Sequence, residues 1–141
     1  ARYRKYPSAF VTQFANFDAQ GKRLNNAPKW SATFGAAYTF DLDRSGKITA
    51  GVDAHVQSPV YFTAANDGVN GFTGYPEQQG SYGIVNAHLA WTDASELWKV
   101  VLSGTNLLDK EYVLGTANYT AAIAGRPGRP RVITATLSRR F

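Results

Sequence analysis

Between residues 31 and 40 the chain alternates, with Phe34, Ala36, Tyr38 and Phe40 on one face and Thr33, Gly35, Ala37 and Thr39 on the other. A period of two predicts a β-strand with one apolar and one polar side. Residues 48–57 repeat the pattern, with Ile48, Ala50, Val52, Ala54 and Val56 opposite Thr49, Gly51, Asp53, His55 and Gln57. Val85, Ala87, Leu89 and Trp91 alternate with Ile84, Asn86, His88 and Ala90, and Trp98, Val100 and Leu102 alternate with Lys99, Val101 and Ser103. In the last segment, 131–141, Ile133, Ala135 and Leu137 share the face of Phe141, opposite Thr134, Thr136, Ser138 and Arg140. Helical spacing fits none of these segments better, and Val, Thr, Tyr and Phe suit a pleated surface. The chain reads as all-β.

The connections alternate in length. Residues 41–46 and 92–96 are rich in Asp, Ser and Gly and predict tight hairpin turns. Residues 7–29, 62–81 and 107–130 form connections longer than the ~12–15 residues expected of a structureless loop in a compact domain. Strands of about ten residues with short turns at one end and long loops at the other predict a transmembrane β-barrel, short turns in the periplasm and long loops outside. Residues 1–6 then become the outer tip of another strand. Five strands and this stub form an antiparallel meander too short to close a barrel, so both edges require further strands.

Composition narrows the alternatives. No apolar run approaches the ~18 residues of a membrane-crossing helix, a criterion that leaves strand barrels untouched. The 141 residues carry Lys+Arg 15 against Asp+Glu 10, a formal charge of +5, and include Tyr 8, Phe 8 and Trp 3, a balance unlike that of disordered chains. With no cysteine there is no disulfide, thiolate metal site or thiol nucleophile. With no methionine, and Ala1-Arg2-Tyr3 at its start, the chain reads as either processed or cut from something longer. The basic charge comes without a recognition helix, zinc spacing or stacking motif, so nucleic acid is not an expected partner. No nucleophile elbow, phosphate loop or His-Glu-x-x-His run is present, so no catalytic residue, cofactor or metal ligand is expected. His55 and His88 lie on polar strand faces with Asp53 nearby, and the polar wall of a wide barrel accounts for them better than a metal does.

Three motifs occur in order: Asn26-Ala27-Pro28-Lys29-Trp30 after a turn, Asn106-Leu107-Leu108-Asp109-Lys110-Glu111-Tyr112, and Gly128-Arg129-Pro130-Arg131 leading into the C-terminal Phe141. Together they make the chain similar to the C-terminal part of TonB-dependent outer-membrane receptors. The resemblance carries Asn26, Ala27, Pro28 and Trp30 as the lead-in to an inward strand. It carries Asn106, Leu107, Asp109 and Tyr112 as the close of the penultimate strand, and Pro130 and Arg131 as the opening of the last. It implies that residues 1–141 are the last strands of a 22-stranded barrel whose plug domain and TonB box are absent from this chain. It also implies an outer-membrane location in a Gram-negative bacterium and active transport of a scarce ligand of the siderophore, cobalamin or glycan class. Partners would be the remaining strands and plug, TonB indirectly, and membrane lipid with lipopolysaccharide. Leu137 and Phe141 would carry the family's assembly signal. Arg139 departs from its pattern by placing a charge where an apolar residue is usual, near the rim, where a long side chain reaches head groups.

Trp30, Tyr38, Phe40, Trp91, Trp98 and Phe141 lie near strand ends, as aromatic girdles require. Phe62, Asn66, Phe72, Tyr75, Tyr119 and Arg126 are the candidate ligand-facing loop residues. Arg126, Arg129 and Arg131 form a basic run suited to phosphate groups. Asn118-Tyr119-Thr120 has the form of a glycosylation acceptor, a coincidence in a bacterial outer membrane. The competing reading is a soluble all-β binding module, with carbohydrate as one candidate ligand, whose apolar faces pack into a dry sandwich core.

Overall fold

The computed structural model describes residues 1–6, 9–12, 15–64, 66, 77–119 and 122–141. In chain order the strands are β1 (Ala9–Thr12), β2 (Ala15–Phe17), β3 (Ser31–Asp41), β4 (Lys47–Gln57), β5 (Val60–Tyr61), β6 (Gln78–Gln79), β7 (Tyr82–Thr92), β8 (Trp98–Thr105), β9 (Val113–Tyr119), β10 (Ala122–Pro127) and β11 (Val132–Arg139). No α-helix occurs among the described residues, only a 3-10 turn at Asp43–Ser45. The chain divides into two compact units. The first comprises Ala1–Ser31, Gln57–Tyr82 and Glu111–Gly128, and the second Ala32–Val56, Gly83–Lys110 and Arg129–Phe141.

The second unit contains a five-stranded sheet ordered β11-β8-β7-β4-β3. The β8–β11 pair is antiparallel and unbroken from Val132 opposite Thr105 to Arg139 opposite Trp98. In the β7–β8 pair Ala87 faces Gly104 and Thr92 faces Lys99. Directly opposed residues share a face, so Trp91, Val100 and Leu137 line one side while Thr92, Lys99 and Ser138 line the other. The faces are those that alternation predicts.

The apolar face has no cover. Phe34 and Tyr38 are each 65% exposed, and Ile133 and Leu137 each 67%. Among the described residues the buried apolar side chains are Ala19, Val60 and Phe62, all in the first unit. A sandwich would bury Phe34 and Leu137 beneath a second sheet. The second unit has none.

Paired strands lie within or at the edge of the three long connections. β1 pairs with β2, β5 with β6, and β9 with β10, each antiparallel. Backbone groups that an irregular loop would leave to solvent are bonded within these hairpins. Residues 1–6 do not form a further strand of the five-stranded sheet. They make an isolated bridge, Arg2 to Arg23, supported by Tyr3 N–H donating to Lys22 O at 2.9 Å. Pairing with the nearby chain satisfies this segment without extending the sheet.

Candidate functional site

At the short-turn end of the second unit, two turns pack together. In the first, Leu42 N–H donates to Gly46 O at 2.7 Å, and Trp91 Nε1 donates to Ser45 O at 3.0 Å. Lys47 and Glu96 form an ion pair of 2.7 Å that joins the first turn to the second. Arg140 N–H reaches Leu97 O at 2.9 Å, so the end of the chain is fastened to the same place. Lys99, Ser138, Arg139 and Arg140 line a cleft of about 530 Å³ beside the Lys47–Glu96 pair.

Asp93 organises the second turn by accepting from the Ser95 hydroxyl and, at 2.7 Å, from Trp98 N–H. The Ser95 bond first, and then the Trp98 bond, hold its carboxyl below the ordinary 3.8. The hydrogen bond and charge of Lys47 hold Glu96 below its ordinary 4.5. A depressed carboxyl pKa adds stability that is fully present above the unfolded value and lost as pH falls through the folded one. The Trp98 amide is therefore expected to keep its exchange protection at pH 6 and lose it as acid is added below pH 3.8. Asp93→Asn should weaken that protection at pH 6 and remove its acid dependence. Hydrogen exchange corrected for intrinsic rates measures both.

The turn end carries a concentration of rings on the apolar face. Tyr38 and Phe40 meet edge to face at 4.6 Å. The Arg139 guanidinium lies 5.1 Å from the ring centre of Trp98 and 5.1 Å from that of Phe141. These distances are within cation–π range.

On the polar face hydrogen bonds run from strand to strand. Thr39 and Thr49 hydroxyls meet at 2.9 Å, Thr33 Oγ1 meets His55 Nδ1 at 3.0 Å, and Asn86 Nδ2 donates to Asp53 at 2.7 Å. His88 instead covers Gly51, where a Cβ would overlap the imidazole. No group of three or more His, Cys, Asp or Glu side chains suited to a metal exists among the described residues.

Asn106 is 2% exposed and holds the far end of β8. Its N–H donates to Asn86 Oδ1 at 3.0 Å. Its amide donates to Lys110 O and Arg129 O, both at 3.0 Å, and accepts from Lys110 N–H at 2.8 Å. Asp109 pairs with Arg131 at 3.2 Å. Leu107 lies against Gly104, whose lack of a side chain admits it. Asn106, Asp109 and Arg131 thus clasp the start of the last strand to the end of β8. Asn86 is the member that sequence reasoning missed, because alternation only assigned it to the polar face.

In the first unit, Ser58 Oγ accepts from Lys29 N–H at 2.8 Å and Trp30 N–H at 3.1 Å. Asn26, in the left-handed region at φ 54°, donates its N–H to Tyr61 O at 2.8 Å. Ala27 and Pro28 fill the two positions between these ties. Tyr112 stacks on Tyr82 at 4.6 Å, and a Cβ at Gly128 would overlap its ring. Ser58, partner to two amides of the lead-in, carried no motif signal.

Of the candidate ligand-facing residues, Phe62, Asn66 and Arg126 are among those whose side chains the structure describes. Phe62 is 9% exposed and, with Val60 and Ala19, is one of the buried apolar residues of this unit. The Asn66 amide is engaged locally, accepting from Arg23 N–H at 2.6 Å and donating to Thr63 O at 3.1 Å. Arg126 is exposed. Phe72, Tyr75 and the Tyr119 side chain lie outside the described residues. Arg131, of the expected basic run, pairs with Asp109 at 3.2 Å while remaining half exposed.

Residues 2–107 match the family described as TonB dependent receptor-like, beta-barrel. The fold is similar to the crystal structure of the ferric yersiniabactin uptake receptor FyuA from Yersinia pestis, with a TM-score of 0.73 at 19% identity. That alignment covers 87% of this chain and 18% of the FyuA chain. No curated protein matches the chain significantly.

Proposed function

Since the chain belongs to the TonB-dependent receptor β-barrel family, we propose that it forms part of the wall of an outer-membrane transport receptor. The uncovered apolar face of the five-stranded sheet carries this reading. An eleven-residue strand such as β3 extends about 36 Å at ~3.3 Å per residue, enough to cross a bilayer core at a barrel tilt. Phe34, Val52, Leu102 and Ile133 meet lipid, while the Thr33–His55 and Asp53–Asn86 bonds belong to the lumen wall. The short turns lie in the periplasm, where Tyr38, Phe40, Trp91, Trp98 and Phe141 make the girdle. The outer hairpins face the medium and lipopolysaccharide.

The free sides of β3 and β11 pair with the other strands of the receptor, and a plug domain linked to TonB occupies the enclosed space. Leu137 and Phe141, both exposed on the lipid side, act as the assembly signal. The cargo is a scarce, bulky molecule of the siderophore, cobalamin or glycan class, and the wall performs no catalysis.

These 141 residues contain no cysteine, so a single cysteine introduced here, with any cysteines elsewhere in the receptor replaced, reports on one position. In the complete receptor reconstituted in vesicles, bimane on Leu102→Cys is expected to be quenched severalfold by acyl-chain-brominated lipid. Bimane on Ser103→Cys should be quenched little. Equal quenching at the two positions would sink the barrel reading, because a strand in a barrel wall must send adjacent residues to opposite environments.

A further inference from the structure

Arg139 lies on the face that the barrel reading turns toward lipid, directly opposite Trp98 and two residues before Phe141. A cation there costs little only if it reaches the interface and meets a counter-charge. The nearby acids have other partners: Glu96 is paired with Lys47, Asp93 binds Ser95 and Trp98 N–H, and Asp41 accepts from Asp43 N–H at 2.9 Å. Among the described residues Lys99, Arg139 and Arg140 make no ion pair, and all three line the cleft at this end. The Arg139 guanidinium carbon lies over the Trp98 and Phe141 rings, 5.1 Å from each centre, and these contacts use none of its N–H groups as conventional hydrogen-bond donors to oxygen.

We propose that Trp98, Arg139 and Phe141 form a binding site for the phosphate of an anionic phospholipid in the periplasmic leaflet. The inference rests on the barrel reading and adds a lipid head group as a specific ligand. The rings seat beside the upper acyl chains and the guanidinium donates to the phosphate oxygens, and its full positive charge favours a head group of net negative charge over a zwitterionic one. The bidentate geometry of arginine suits a phosphate.

The experiment uses the complete receptor in nanodiscs of phosphatidylcholine with or without phosphatidylglycerol. Enrichment of phosphatidylglycerol beside the protein is read from quenching of bimane placed at Leu137→Cys by head-group-labelled lipid. A preference of about fivefold is expected, corresponding to one arginine near a charged surface. Arg139→Gln should abolish the preference, and Arg139→Lys should restore part of it. The proposal is overturned if the wild type shows no preference or if Arg139→Gln retains it. It is also overturned if the variant melts at a lower temperature by the same amount in both lipids, the sign of a purely structural cation–π contact. Inorganic phosphate that displaces the lipid preference at millimolar concentration would assign the site to free phosphate and equally overturn the lipid assignment. The barrel reading is judged apart from these outcomes, by the contrast between Leu102→Cys and Ser103→Cys.

Discussion

Gly46→Ala is expected to destabilise the protein by about 3 kcal/mol, as much as removing a large core side chain. Gly46 has φ 92° and ψ −143°, a combination open to glycine and closed to residues with a side chain. Its surroundings add a second penalty. A Cβ would run into the Thr92 carbonyl and the Asp93 backbone, neither of which can rotate away as a side chain could. Moving them disturbs the place where the two turns meet and where Trp91 bonds to Ser45. The urea midpoint of the reconstituted receptor should fall in proportion. Gly80→Ala is the control: a Cβ there meets nothing within 4 Å, and its effect should stay within ~0.5 kcal/mol. If the two variants unfolded at the same urea concentration, close packing of the turns would not be the source of the effect.

Asn106→Ala is expected to cost about 3–5 kcal/mol. Truncation strands two carbonyls, of Lys110 and Arg129, and the Lys110 N–H in a site where the asparagine is 2% exposed. It also places alanine at φ 50°. Asn106→Gly separates the two contributions, since it relaxes the backbone but returns none of the hydrogen bonds. Glycine should recover about 1 kcal/mol of the loss. Full recovery by Asn106→Gly would mean that conformation and not hydrogen bonding is what the asparagine supplies.

Strict alternation made the long strands legible. Residues 48–57 and 98–103 read as strands, and the structure extends them by a residue or two to Lys47–Gln57 and Trp98–Thr105. Face assignment followed, because Val100 opposite Leu137 and Lys99 opposite Ser138 require only a period of two and a shared register. The outer hairpins were not legible. In β9, Gly115, Thr116 and Ala117 give no contrast between faces, and β5 is two residues long. Pairing that arises from proximity leaves little periodic signal. The role of Asn106 was hidden for another reason: its partners at positions 86, 110 and 129 come together only when the sheet forms. Motif order drew attention to the residue without revealing the bonds. The histidines, placed by alternation on the polar faces, are met there by partners that alternation could not name: Thr33 Oγ1 at His55 Nδ1 and Gly51 beneath His88.

The clasp around Asn106 also bears on how such a protein can diverge. It fixes residues 106–110 against 129–131, so the register of β11 beside β8 is set without reference to the β9–β10 hairpin between them. Closing a flexible loop of twice the length adds only about 0.6 kcal/mol of entropic cost. Once the clasp holds, insertions and replacements in the intervening hairpin are thermodynamically cheap. Mutation can therefore explore new hairpin surfaces at this position while the strands of the five-stranded sheet remain under their own, separate selection.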